Sequence, residues 1–204
     1  MRTKYKQWAV DYLNEHKEIT LEKIDLNQPF FKKDLCIEVG SGKGDFILNF
    51  SSKNLTKSFI AIERVDTVAG MMAKKLIEAE SKNVLIFPHD AKLIFDQIGE
   101  NKVDTIFLNF VDPWPKKKHA KRRLTFHTFL ESYYHILKPG GLLIFKSDND
   151  GLYDFTLEEI QTTKFVMISN EPDYSFDESQ DAMTEYERKF RDLGQPIHRI
   201  VLKK

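Results

Sequence analysis

The chain is nearly free of cysteine. Cys36 stands alone among 204 residues, which excludes an internal disulfide and a zinc site built on spaced cysteine pairs. Its neighbours are apolar, so a small buried hydrophobe is its expected role. Long apolar stretches are missing too. None approaches the roughly 18 residues of a membrane span. The basic opening, MRTKYKQWAVDYL, holds no signal-type apolar run. A cytoplasmic location is expected. Net charge is absent, with 31 Lys and Arg against 31 Asp and Glu, so no global field draws the protein to nucleic acid. Repeats, low-complexity tracts and Gly/Ser linkers are absent as well. One domain is expected over 1–204, with a helical, basic extension at 1–30 and the core at 31–204.

The charge that is present is unevenly placed. Between Asp148 and Glu187 there are twelve acidic residues and one basic residue, Lys164. By contrast, six of the eight residues from Lys116 to Arg123 are Lys or Arg. Such asymmetry says more than the sum.

Short apolar runs alternate with helical patterns. Strands are expected at 35–39, 59–63, 84–87, 104–110, 142–146, 165–169 and 197–202. Helices are expected at 45–50, 65–80, 90–97, 124–137, 151–162 and 186–193. In the longest, Val68, Met72, Leu76 and Ala79 share one face. Alternation of this kind gives βαβ units and a mostly parallel sheet. Ligands then bind beyond the carboxyl ends of the strands, so the residues after each strand carry the chemistry.

After the first strand comes Glu38-Val39-Gly40-Ser41-Gly42-Lys43-Gly44. Gly40 and Gly42 allow a ligand to approach the backbone closely. The spacing is neither that of nucleotide dehydrogenases nor that of a P-loop. Glu38, two residues before the first glycine, can face an ammonium group. S-adenosylmethionine has one and a dinucleotide does not. Glu63 follows the second strand, where an acid commonly accepts ribose hydroxyls. Asp90 follows the third; it can take the exocyclic amine of an adenine or equally cap the next helix. The three acids together are more specific than any one of them.

The fourth strand leads into the most informative stretch, LNFVDPWPKKKHAKRRL at 108–124. Asp112 is followed by a stiff Pro113-Trp114-Pro115 corner and then by the basic run. An acid for chemistry, a ring for stacking or packing and a positive arm point to an enzyme acting on nucleic acid. Arg2, Lys4 and Lys6, with Tyr5 and Trp8, form a weaker second candidate arm. After the fifth strand stands Asp148, able to bind substrate or to cap the following helix. Near the end, Thr184 and Glu187 fit a capping box.

These pieces together resemble the bacterial tRNA (guanine-N7)-methyltransferase family. The resemblance rests on EVGSGKGDF at 38–46, FIAIER at 59–64, HDA at 89–91, DPWPKKKHAKRRL at 112–124, LKPGGLLIFKSD at 137–148 and TEYERKF at 184–190. It implies an α/β, Rossmann-like class I methyltransferase fold: a seven-stranded, mostly parallel sheet, last strand antiparallel, with helices on both faces. It also implies S-adenosyl-L-methionine as cofactor, tRNA as partner, and methylation of a variable-loop guanine. By resemblance, Glu38, Gly40, Gly42, Glu63, Asp90 and Asp112 line the cofactor site, and Asp112 is the catalytic candidate. Lys116, Asp148, Thr184, Glu185, Tyr186 and Glu187 meet substrate. Lys118, His119, Lys121, Arg122 and Arg123 meet RNA. One departure from the family pattern is Val111, where a proline or small residue is usual. No metal and no membrane is expected, and the chain is expected to act as a monomer or homodimer. Competing readings are a methyltransferase of different atom specificity and a non-catalytic tRNA-binding protein on the same fold.

Overall fold

The computed structural model describes residues 4–204, the side chain of Glu185 excepted; Arg2 lies outside them. Seven strands form one sheet in the order β3-β2-β1-β4-β5-β7-β6. They are β1 (Asp34–Val39), β2 (Lys57–Ile62), β3 (Val84–Phe87), β4 (Val103–Asn109), β5 (Leu137–Ser147), β6 (Val166–Glu171) and β7 (His198–Lys203). Only β7 runs against its neighbours, β5 and β6. The intervening helices are α1 (Gln7–Glu15), α2 (Asp45–Ser52), α3 (Asp66–Glu78), α4 (Lys92–Ile98), α5 (His127–Ile136), α6 (Asp150–Ile160) and α7 (Glu185–Asp192). Among the described residues no helix is long and apolar enough to cross a membrane. The chain divides into two compact units, one holding residues up to Ile98 with Gln180–Met183, the other Gly99–Ser179 with Thr184–Lys204.

In the first unit β1, β2 and β3 pair in parallel. Their sequences, DLCIEV, KSFIAI and VLIF, are almost wholly buried. Continuous rather than alternating apolar runs are what a sheet covered on both faces demands. Cys36 is completely buried there. Helix α3 buries Val68, Met72 and Leu76. Ala79, expected on the same face, is exposed because the helix stops at Glu78. The N-terminal extension is part of this unit. Ala9 of α1 lies so close to Gly70 of α3 that a Cβ at Gly70 would stand 1.8 Å from the Ala9 carbonyl oxygen. The Lys6 N–H also donates to Thr67 Oγ1 at 3.3 Å.

In the second unit β4 and β5 are parallel, with Asn109 opposite Lys146. Strand β5 is longer than the sequence pattern predicts. The Lys138-Pro139-Gly140-Gly141 stretch reads as a turn, yet it forms the first part of β5. The C-terminus pairs with it: Gly140 N–H donates to the Lys204 carbonyl at 3.1 Å, and Lys204 N–H returns to Gly141 at 3.0 Å. Helix α5 begins later than expected. Phe126 is extended, and the Glu159 carboxylate receives the His127 N–H at 2.6 Å, supplying an acceptor at the helix start.

Candidate active site

The strand ends of the first unit form an acceptor-rich loop system. Glu38 is 2% exposed at the end of β1. Gly40 and Ser41 both donate their N–H groups to the Ile62 carbonyl, at 2.9 and 3.0 Å, so the glycine loop hangs from the end of β2. Gly42 has φ +55°, and a Cβ added there would meet nothing within 4 Å. Space therefore lies over its backbone, in a conformation that L side chains rarely adopt. Glu63 fixes this geometry. One of its oxygens accepts the Gly42 N–H at 3.1 Å, the other the Val65 N–H at 2.9 Å. A carboxylate oxygen can accept more than one bond, so holding the loop is compatible with receiving hydroxyl donors. Asp90 is exposed, and its Oδ1 accepts the Lys92 N–H at 3.0 Å. Capping thus occupies one oxygen and leaves the second, and it moves the start of α4 from the expected Asp90 to Lys92. The acceptor set suits a nucleoside carrying a cationic group and hydroxyl donors.

In the second unit the chain leaves β4 through Phe110, at φ +51°, whose N–H donates to the Lys146 carbonyl at 2.9 Å. Val111 is buried and Asp112 exposed. Pro113 and Pro115 have no N–H with which to close a turn. Arg123 supplies the missing donors: its Nε bonds the Pro113 carbonyl at 3.0 Å and its Nη2 the Trp114 carbonyl at 3.1 Å. The guanidinium lies 4.1 Å from the Phe155 ring centroid. The sequence places Arg123 in the RNA arm; in the structure its fork is turned inward to brace the corner beside Asp112. Lys116, Lys117, Lys118, Lys121 and Arg122 are exposed, and His119 is half-buried. The arm is not extended but forms a tight 3-10 turn over Lys117–Arg122. Trp114, at φ +41° and half-buried, lies beneath Arg122 with His119 edge-on to it.

Asp148 does not cap α6. Asn149 does so, accepting the Leu152 N–H at 2.8 Å. Asp148 instead receives the Tyr186 hydroxyl at 3.3 Å. Partial desolvation of this half-exposed ring, then the Asp148 charge, pushes the Tyr186 phenol up to about 12; as for any tyrosine, it is a protonated donor at neutral pH. The Tyr186 ring stands between Phe110 at 5.3 Å and Phe190 at 4.5 Å. Thr184 caps α7 by accepting the Glu187 N–H at 2.8 Å. The reciprocal half of the capping box is replaced. The Glu187 side chain is 0% exposed and bonds Lys146 Nζ at 2.9 Å and Arg191 Nε and Nη2 at 3.0 and 2.9 Å. Glu187, expected at the substrate surface, is therefore enclosed by two cations. Lys146 and Arg191 were not singled out from sequence. Their signals were a lysine inside the apolar run LLIFKS and an arginine four residues after Glu187 on a helix. Among the described residues no group of three or more His, Cys, Asp or Glu could hold a metal ion.

Residues 32–200 match a family model described as a putative methyltransferase. A relative from Exiguobacterium sp. named tRNA (guanine-N(7)-)-methyltransferase is 40% identical over 98% of this chain and 96% of its own length. One from Lactobacillus johnsonii with the same name is 40% identical over 97% of this chain and 96% of its own. One from Staphylococcus haemolyticus is 38% identical over 100% and 98%. Among solved structures, a 30S ribosomal methyltransferase from an uncultured bacterium superposes with TM-score 0.67 at 13% identity, covering 90% of this chain and 95% of its own. The 16S rRNA methyltransferase KamB gives 0.65 at 11% identity, covering 90% and 94%. These two likenesses show the fold, that of class I methyltransferases.

Proposed function

The chain belongs to the tRNA (guanine-N7)-methyltransferase family, and from that premise we propose that it transfers the methyl group of S-adenosylmethionine to N7 of a guanine in tRNA. The observation that carries this reading is 40% identity to relatives of that name over nearly the whole chain. The local chemistry agrees with it. Its proposed place of work is the cytoplasm, where the substrate is.

When bound, S-adenosylmethionine supplies a methyl group on a positively charged sulfur. The guanine N7 already carries a free lone pair, so no residue has to remove a proton before a new N–C bond forms and the C–S bond breaks. The protein's work is then positioning and charge complementarity. Glu38 meets the ammonium of the methionine tail, Glu63 the ribose hydroxyls, and Asp90 the adenine amine through its remaining oxygen. The glycine loop lets the cofactor reach the backbone at Gly42. Asp112 favours the positive charge that develops on the purine and orients the base. Lys116 and the exposed cations of the 3-10 turn hold phosphates.

Asp112→Ala tests the assignment. Turnover is expected to fall about 100-fold or more, the scale of removing one electrostatic group. Calorimetric titration with S-adenosylmethionine should show affinity within a few-fold of the parent. Equal losses in turnover and affinity would reduce Asp112 to a binding residue. Absence of any heat from the parent protein would favour a non-catalytic tRNA-binding role.

A further inference from the structure

We propose that Lys4, Tyr5, Lys6 and Trp8 form a second RNA-contacting surface, which grips the tRNA substrate by its phosphates and by stacking on an unpaired base. The proposal rests on the tRNA reading above and extends it to the N-terminal segment, which no step of the methyl transfer uses.

Helix α1 is held on α3 by small and apolar groups. Ala9 and Leu13 are its buried residues, and the Ala9 backbone stands against Gly70. The aromatic residues beside them stay outside. Trp8 is 46% exposed and Tyr5 69% exposed, although tryptophan is highly buried on average. Both rings are nonetheless held in place. Lys74 Nζ stands 5.6 Å from the Trp8 ring centroid. The Tyr5 hydroxyl donates to Gln7 Oε1 at 2.7 Å, and Gln7 Nε2 donates to Asp11 Oδ1 at 2.8 Å. Rings that are exposed and already ordered accept a base with little further loss of freedom.

The charges point the same way. Lys17, Lys74 and Lys75 of the same unit are matched with acids, Glu22, Glu78 and Asp45. Lys4 and Lys6 are exposed, and among the described residues neither ammonium group has an ion-pair partner. Lys6 is also the N-cap of α1, with no side-chain cap there. A helix dipole disfavours a cation at that end, so the two lysines cost stability unless an anion lies beside them. Backbone phosphates are such anions. The segment also stands at the useful edge of the sheet. The Lys6 N–H donates to Thr67 Oγ1 at 3.3 Å, and Thr67 lies in the first turn of α3, just after Glu63. The arm thus leaves the fold at the carboxyl end of β2, beside a cofactor acid. RNA loops present unpaired bases that aromatic side chains accept.

The test is filter binding of an unmodified tRNA transcript to the full chain over a series of salt concentrations. Lys4→Ala/Lys6→Ala is expected to reduce the magnitude of the log–log salt slope by about 1.5–2, since each phosphate contact contributes about 0.7–0.9. Trp8→Ala is expected to weaken binding about 5-fold or more, the low end of one base–aromatic stack, and to leave the slope as it was. Trp8→Phe keeps a ring and should recover most of that loss. Tm and calorimetric affinity for S-adenosylmethionine report whether each variant is folded. If Trp8→Ala lowers Tm, the more exposed Tyr5→Ala takes its place and is expected to weaken binding in the same way. A parental slope in the double lysine variant would overturn the proposal. So would equal losses in Trp8→Ala and Trp8→Phe, which would make the indole a packing group. If the patch instead joins two copies of the chain, the variants would change the sedimentation of the free protein and keep the parental salt slope, which also overturns it. A parent that shows these dependences but places no methyl on guanine N7 would refute the catalytic reading and leave the surface standing.

Discussion

Basic residues of the 116–123 run separate by direction, which their number does not reveal. Arg123 bonds two carbonyls of the proline corner, while Lys118 and Lys121 face solvent. Arg123→Ala is therefore expected to lower kcat by about 10-fold or more through the displaced corner. The salt dependence of tRNA binding should hardly change. Lys118→Ala and Lys121→Ala should each reduce the slope of log affinity against log salt by about 1 and leave kcat nearly intact. Filter-binding at several salt concentrations, alongside steady-state kinetics, checks both. A reduced slope for Arg123→Ala would make it an RNA contact after all. The same contrast explains what was legible at this scale. The acids after successive strands could be found because position after a strand is a sequence property. Burial of Glu187 could not be, because it depends on Lys146, 41 residues away in sequence; Arg191, four residues on, signals a helix pair but not burial.

Element boundaries follow local chemistry where that chemistry is self-contained. Strand β3 falls where its apolar run predicts, at Val84–Phe87. Asp90 shortens α4 by capping, and Asn149 rather than Asp148 caps α6. Strand β5 extends past a turn-like KPGG because Lys204, distant in sequence, pairs with Gly140 and Gly141. The pairing of α1 with α3 also escaped the pattern, since a glycine inside a helix reads only as a weak point. Here it marks the closest approach of two helices. Gly70→Ala would drive a Cβ into the Ala9 backbone. It is expected to destabilise the protein by about 1–3 kcal/mol through overpacking, seen as a lower Tm. An unchanged Tm would mean that α1 does not hold this position in solution.

The whole molecule is neutral, so its affinity for tRNA has to come from local charge. Five cations at Lys116, Lys117, Lys118, Lys121 and Arg122 are exposed together. With roughly one phosphate each, they give an expected log–log salt slope of about −4. The fold class was legible because parallel strands buried on both faces leave short, continuous apolar runs that alternate with helical patterns. The family was legible because DPWPKK and TEYE combine chemistry with fixed spacing. The central claim is the atom that receives the methyl group. Unmodified tRNA incubated with the protein and methyl-labelled S-adenosylmethionine, then digested to nucleosides, tests it most directly. The label should appear in 7-methylguanosine. Label on an exocyclic amine or on ribose would contradict the account.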